Sequence, residues 1–350
     1  MRHRICNYRE EWRNAGVSLT LKPFLTAGLY LRRRQFGWRA TLYKAATLAF
    51  CTMRLMLRLM TISRYDVVIV HREVFPLGGA FFERFAARLN PCIVFDLDDA
   101  LWIPMPLAIN QRKLFWDANR VAHTMSACRA VVAGNDYLAA YSRQFNPCVQ
   151  VIPTPYVDLG GSAGVVAERG GPPIIVWIGN AGNEDYLEML RNPLQRLSRE
   201  QEFVLRVIGS SEISRFHLNG VRIEAFEWRE DKERAWLLEC AIGIMPLVDR
   251  EYERGKCAFK IVQYFSAGMP VVASAVGMNC EVVEHGRNGY LVKSDDEWYI
   301  ALKALLENPQ RRREMGTHGY SLYRRRFTPG RNAELWLGVF DRVLSGSPSR

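Results

Sequence analysis

Short apolar runs rich in Val and Ile recur along this chain. Between them lie segments whose apolar positions return every three or four residues. The runs read as buried strands and the intervening segments as helices that cover them, a pattern of α/β units around parallel sheets. Strands are predicted at 65–70, 93–95, 130–133, 149–152, 174–178, 203–208, 221–224, 242–245, 270–275 and 290–292. Helices are predicted at 184–197, 230–238, 280–285, 295–306, 311–327 and 332–344, with a further one through Phe259, Val262, Gln263 and Ser266. Residues 160–173 hold five Gly and two Pro and read as a linker. The chain therefore divides into an N-terminal domain (1–158), a linker (159–173), a C-terminal domain (174–329) and a final segment (330–350). A length of 350 residues suits two domains.

The stretch 255–289, GKCAFKIVQYFSAGMPVVASAVGMNCEVVEHGRNG, organises the candidate chemistry. Its helix ends at Gly268-Met269-Pro270, where Gly suits the C-terminal cap and Pro stops the helix. A helix N-terminus presents unpaired N–H groups and favours an anion. Lys256 and Lys260, four apart on one helical face, add two positive charges there and suit a phosphate; on the blander reading both are solvated surface charges. Gln263 lies one turn beyond Phe259, within reach of a ribose or sugar hydroxyl. Gly179-Asn180-Ala181-Gly182, between a strand and a helix, forms a turn that lets a diphosphate approach backbone N–H groups. In the first half, one strand runs into His71-Arg72-Glu73 and the next into Asp96-Leu97-Asp98-Asp99. Ligands of open α/β sheets bind beyond the carboxyl ends of strands, so both clusters are placed for chemistry. The Asp cluster has a second reading, helix capping and neutralisation of a nearby Arg such as Arg72.

The run KCAFKIVQYFSAGMPVVASAVGMNCEVVEHGRNGYLV resembles the donor-binding segment of retaining GT-B glycosyltransferases, the glycosyl transferases group 1 or family 4-like class, in its polysaccharide-biosynthesis branch. HREVFPLGG and FDLDDALW resemble segments of the same branch. The resemblance implies a GT-B fold: two Rossmann-like domains facing across a cleft, with the last helix returning to the first domain. It implies transfer of a sugar from a nucleotide-diphosphate sugar to a glycan or lipid-linked acceptor with retention, in surface polysaccharide or glycolipid synthesis. Lys256 and Lys260 would stabilise the departing diphosphate, aided by Gly179 and Asn180. Gln263 would hold the ribose, and Glu281 would touch the sugar or cap its helix. His71, with Arg72, Glu73 and Asp98, would serve the acceptor side. Nucleotide sugar is then a substrate, with no cofactor and no metal. The family commonly carries two glutamates eight positions apart here; this chain has Gly255 and Gln263 at those places. Residues 2–16 resemble the first helix of the family's N-terminal domain and 17–21 its next strand; a strand and a Gly-rich loop usually precede that helix, so an upstream segment is expected. The alternatives are a catalytically silent GT-B-like scaffold or binding subunit, and a nucleotide-sugar epimerase, which would turn over donor without acceptor.

Charge adds a partner. Of the net +11, nearly all sits in residues 1–63, with twelve Lys or Arg against two acids. Arginines interleave with aromatic and aliphatic residues between Leu29 and Ile62, while Arg54 and Arg58 interrupt any membrane span. The pattern predicts peripheral contact with an anionic membrane through 29–44, and a domain helix at 45–62. No nucleic-acid-binding motif is present, and nucleic acid is not expected as a partner. The eight cysteines are scattered without metal spacing and read as reduced thiols, placing the protein in the cytoplasm, peripheral at the inner face of the cell membrane.

Overall fold

The computed structural model describes residues 3–25, 38–75, 79–103, 119–160, 171–179, 183–209 and 218–346. The chain forms two compact units. One comprises Arg9–Ile152 with Ala333–Arg350, the other Arg2–Tyr8 with Pro153–Asn332.

The first unit contains α1 (Arg9–Asn14), α2 (Trp38–Leu59), β1 (Val68–His71), α3 (Phe81–Leu89), β2 (Ile93–Leu97), α4 (Arg120–Ala127), β3 (Ala130–Ala133), α5 (Asp136–Ser142) and β4 (Val149–Val151). Its four strands are parallel in the order β1-β2-β3-β4. β2 and β3 are buried along their whole length, as expected of apolar runs covered on both faces. Asn135 caps α5, its side chain accepting from the Leu138 N–H.

Residues 17–21 form no strand. They keep the alternating exposure of a half-buried strand, but the Val17 N–H bonds back to the Trp12 carbonyl, closing the end of α1. Alternation specifies a half-buried face; it does not supply a ladder partner. In α2, Cys51, Leu55 and Leu59 are buried, whereas Leu42, Phe50, Met53, Leu57 and Met60 are exposed. Arg54 and Arg58 donate to the backbone carbonyls of Pro23 and Phe24, and of Lys22 and Pro23. Of the 29–44 stretch, 29–37 lies outside the described residues. Among the described residues no helix is long and apolar enough to cross a membrane.

The second unit contains β5 (Ile174–Ile178), α6 (Asp185–Glu188), α7 (Arg191–Leu197), β6 (Val204–Ile208), β7 (Arg222–Phe226), α8 (Glu230–Leu238), β8 (Ile242–Met245), α9 (Glu251–Arg254), α10 (Phe259–Ser266), β9 (Val271–Ser274), α11 (Asn279–Val282), β10 (Gly289–Val292), α12 (Asp295–Glu307) and α13 (Pro309–Arg326). The helix expected at 184–197 is broken into α6 and α7. Pro193 sits in the first turn of α7, where Pro is tolerated; in a continuous helix its ring would meet the Met189 carbonyl. The six strands are parallel in the order β10-β9-β8-β5-β6-β7. Strand order therefore reverses between β5 and β8. The last helix, α14 (Pro329–Ser345), packs in the first unit from Ala333 on. There Trp336 and Phe340 meet Trp12 edge-on, with ring centres 5.9 and 5.3 Å away.

A buried cation ties two layers of the second unit. Arg206 of β6 is nearly fully buried and is held by Glu224 of β7 at 2.8 Å and by Glu239, just after α8, at 2.7 Å. It also donates to the Trp236 carbonyl. Removing one member of such a group leaves uncompensated charge in the interior. Arg206→Ala is expected to lower stability by about 3–5 kcal/mol in urea unfolding.

Candidate functional site

The reversal of strand order between β5 and β8 leaves a crevice at their carboxyl ends, the usual ligand position of open α/β sheets. Helix α10 is fixed against that point by Tyr264. Its ring lies on Gly243 of β8, where an added Cβ would sit 2.3 Å from it. Its hydroxyl accepts from the Ile178 N–H at the end of β5 and donates to the Ile244 carbonyl. The residue before the helix, Ala258, adopts a left-handed conformation (φ 48°), and no side chain caps the helix. The first amides of α10 thus face outward uncapped, at the positive end of its dipole.

Both predicted lysines come to this end. The Lys260 ammonium lies 4.4 Å from the ring centre of fully buried Trp177 on β5. The Lys256 ammonium lies 4.9 Å from the Tyr252 ring and 5.8 Å from that of Tyr186. Burial, reinforced by the positive charge of Lys256, pulls the Lys260 pKa down to about 7. Two ammonium groups so close, one of them buried, gain from an arriving anion. Gly179 follows β5 directly; a Cβ there would fall 2.4 Å from the Trp177 ring, and one on Gly209 would fall 1.8 Å from the Gly179 carbonyl oxygen. Asn180 lies outside the described residues.

Gln263 is buried, with Nε2 donating to Glu233 at 2.7 Å. Glu233 also accepts from Tyr156 and from the Trp228 indole. One of the two amide donors of Gln263 is thus committed to a protein carboxylate, and Oε1 is an acceptor suited to a hydroxyl. Glu281 is exposed in the first turn of α11. Two carboxylates escape the sequence reading. One is Glu233. The other is Glu253, buried in α9 within a segment expected to be loop, accepting from the Tyr186 hydroxyl at 2.6 Å. Its other oxygen has no partner among the described residues. The flanking aromatics Trp177, Tyr186 and Tyr252 also went unnoticed. Their one sequence signal is an aromatic residue in or beside each strand-to-helix connection.

The other predicted cluster forms in the first unit. The parallel register of β1 and β2 sets His71 opposite Asp96. Nδ1 of His71 lies 2.7 Å from the fully buried Asp96 carboxylate. Arg72, at φ 66°, points its guanidinium back onto Asp98 and Asp99, 2.7 Å from each. Glu73 pairs with Arg120 at 2.9 Å. The neutralising role considered for the Asp cluster is therefore realised in Arg72, while Asp96 serves His71. Among the described residues no group of His, Cys, Asp or Glu is arranged to hold a metal. The two non-glycine residues with positive φ among the described residues, Arg72 and Ala258, stand one at each cluster.

Comparison with curated proteins finds no match. Residues 172–308 match the family model described as glycosyl transferases group 1. Among solved structures, Anabaena HepE in complex with UDP and glucose is similar, with a TM-score of 0.62 and 15% identity over 95% of this chain and 88% of that one. A glycosyltransferase from Rickettsia africae ESF-5 has a TM-score of 0.62 and 13% identity, covering 97% of this chain and 88% of its own. Sucrose-phosphate synthase from Thermosynechococcus elongatus gives 0.60 and 14%, over 86% and 79%. The family match covers most of the second unit, and the likeness to the solved structures shows a GT-B fold.

Proposed function

We propose that the chain moves a sugar from a nucleoside-diphosphate sugar to a glycan or lipid-linked acceptor with retention, in surface polysaccharide or glycolipid synthesis. The observation that carries the donor half is the convergence of Lys256 and Lys260 on the uncapped start of α10, beside the strand-order reversal. The similar HepE was solved with UDP and with UDP-glucose, which supports the same donor class here.

As the bond between the anomeric carbon and the diphosphate breaks, negative charge gathers on the departing phosphate oxygens. Fixed positive groups aimed at that charge lower the barrier. Lys256, Lys260 and the first amides of α10 supply them, with Gly179 at the end of β5 close by. Gln263 accepts from the ribose through Oε1, and Glu281 contacts the sugar. His71, oriented by Asp96, and Arg72, Glu73 and Asp98 form the acceptor-side set. The basic N-terminal region brings the enzyme to the anionic inner face of the cell membrane, where a lipid-linked acceptor resides.

Calorimetric titration with UDP, GDP and dTDP tests the donor site. One diphosphate is expected to bind, and Lys260→Ala to weaken it by about 1.5–3 kcal/mol. Folded protein that binds none of the three points to the silent scaffold instead.

The lowered pKa of Lys260 gives a second signature. Above about 7 the free site holds Lys260 mostly neutral, and a bound diphosphate restores its charge by taking up a proton. Affinity is therefore expected to fall as pH rises from about 7 to about 9. Proton uptake, read from titrations in buffers of different ionisation enthalpy, should disappear in Lys260→Met.

A further inference from the structure

A recess of about 340 Å³ opens in the first unit beside α3, lined by Ala80, Phe81, Arg84 and Arg88, with His123 of α4. Its cations are unusual in having no counter-charge. Arg84 and Arg88 stand one turn apart on an exposed helix face, and neither has a carboxylate partner among the described residues. Like charges at this spacing disfavour a helix by a few tenths of a kcal/mol. The one acid of α3, Glu83, is buried on the opposite side and accepts from the Val74 N–H at 2.9 Å.

Next to this basic stripe runs an apolar one. Phe81, Phe85 and Leu89 are 67%, 40% and 39% exposed, and the Phe81 and Phe85 rings lie parallel with centres 6.2 Å apart. The turn that follows α2 lies against the end of α3, where Asn90 donates to the carbonyls of Ile62 and Tyr65. Two guanidinium groups and an imidazole around a pocket suit a phosphate group. Large exposed apolar side chains at its rim suit hydrocarbon, and a soluble phosphate ester would leave them in water.

We propose that this recess seats the headgroup phosphate of an anionic membrane phospholipid, while Phe81, Phe85 and Leu89 enter the acyl boundary. The proposal rests on the membrane contact proposed above and gives it a ligand and a site. Arg84 and Arg88 hold the phosphate, and His123 donates to it from the facing helix.

Flotation with phosphatidylcholine vesicles, with and without phosphatidylglycerol, tests it. The protein is expected to float only with the anionic vesicles. Arg84→Gln with Arg88→Gln should weaken binding by about tenfold or more, and Phe81→Ser with Phe85→Ser should do the same. Arg143→Gln with Arg342→Gln removes equal charge elsewhere on the same unit, at the end of α5 and on α14, and should change little. Each preparation is also titrated with the nucleoside diphosphate. Retained diphosphate binding shows a folded protein and keeps failure of this site distinct from failure of the donor site. Three results would each overturn the proposal. In one, wild-type protein ignores anionic vesicles, which also removes the membrane contact. In another, the two arginine pairs lose binding equally. In the third, inorganic phosphate binds through Arg84 and Arg88 while vesicles are not bound, which makes the recess a site for soluble anions.

Discussion

Contact between the Tyr264 ring and the bare backbone of Gly243 governs the geometry at the crevice of the second unit. With no side chain on β8 at that point, α10 lies close enough for one hydroxyl to serve β5 and β8 together. Those are the two strands between which strand order reverses. The start of α10, and with it Lys260, is thereby held beside the carboxyl ends of both. The site proposed for a diphosphate depends on that placement. The low-dielectric setting that Trp177 gives Lys260 then sharpens its response to an anion.

The first unit reaches its constellation by a different route. Register alone sets His71 against Asp96, since facing residues of a parallel pair share a level. The left-handed turn at Arg72 swings the next side chain onto Asp98 and Asp99. A rim of alternating charge results, in which each acid named by the strand ends already has a task.

Much of this was legible in the chain. The strands at 130–133, 174–178 and 242–245 and the helix at 230–238 stand where apolar runs and acidic starts placed them. The lysine spacing and the glycine-proline stop located α10 and its cation pair. What stayed hidden was tertiary. Nothing local distinguishes Glu253 from its neighbour Glu251, yet one is buried against Tyr186 and the other exposed. Gln263 shows the same limit: its spacing set it on the correct helix, but one of its amide donors is taken by Glu233, thirty residues away in the chain. The strand expected at 17–21 followed from the family resemblance; in this chain the Val17 N–H closes the end of α1 instead.

The division of the chain between the two units bears on how it is made. Residues 2–8 belong to the second unit, where Asn7 donates to the Pro155 carbonyl and His3 stacks near Phe259. The first unit in turn contains Trp336 and Phe340, from near the other end of the chain. During vectorial synthesis, therefore, residues 2–8 wait for partners about 150 residues downstream, and Trp12 waits for Trp336 and Phe340. A nascent chain stalled before Ala333 leaves Trp12 without its aromatic cover.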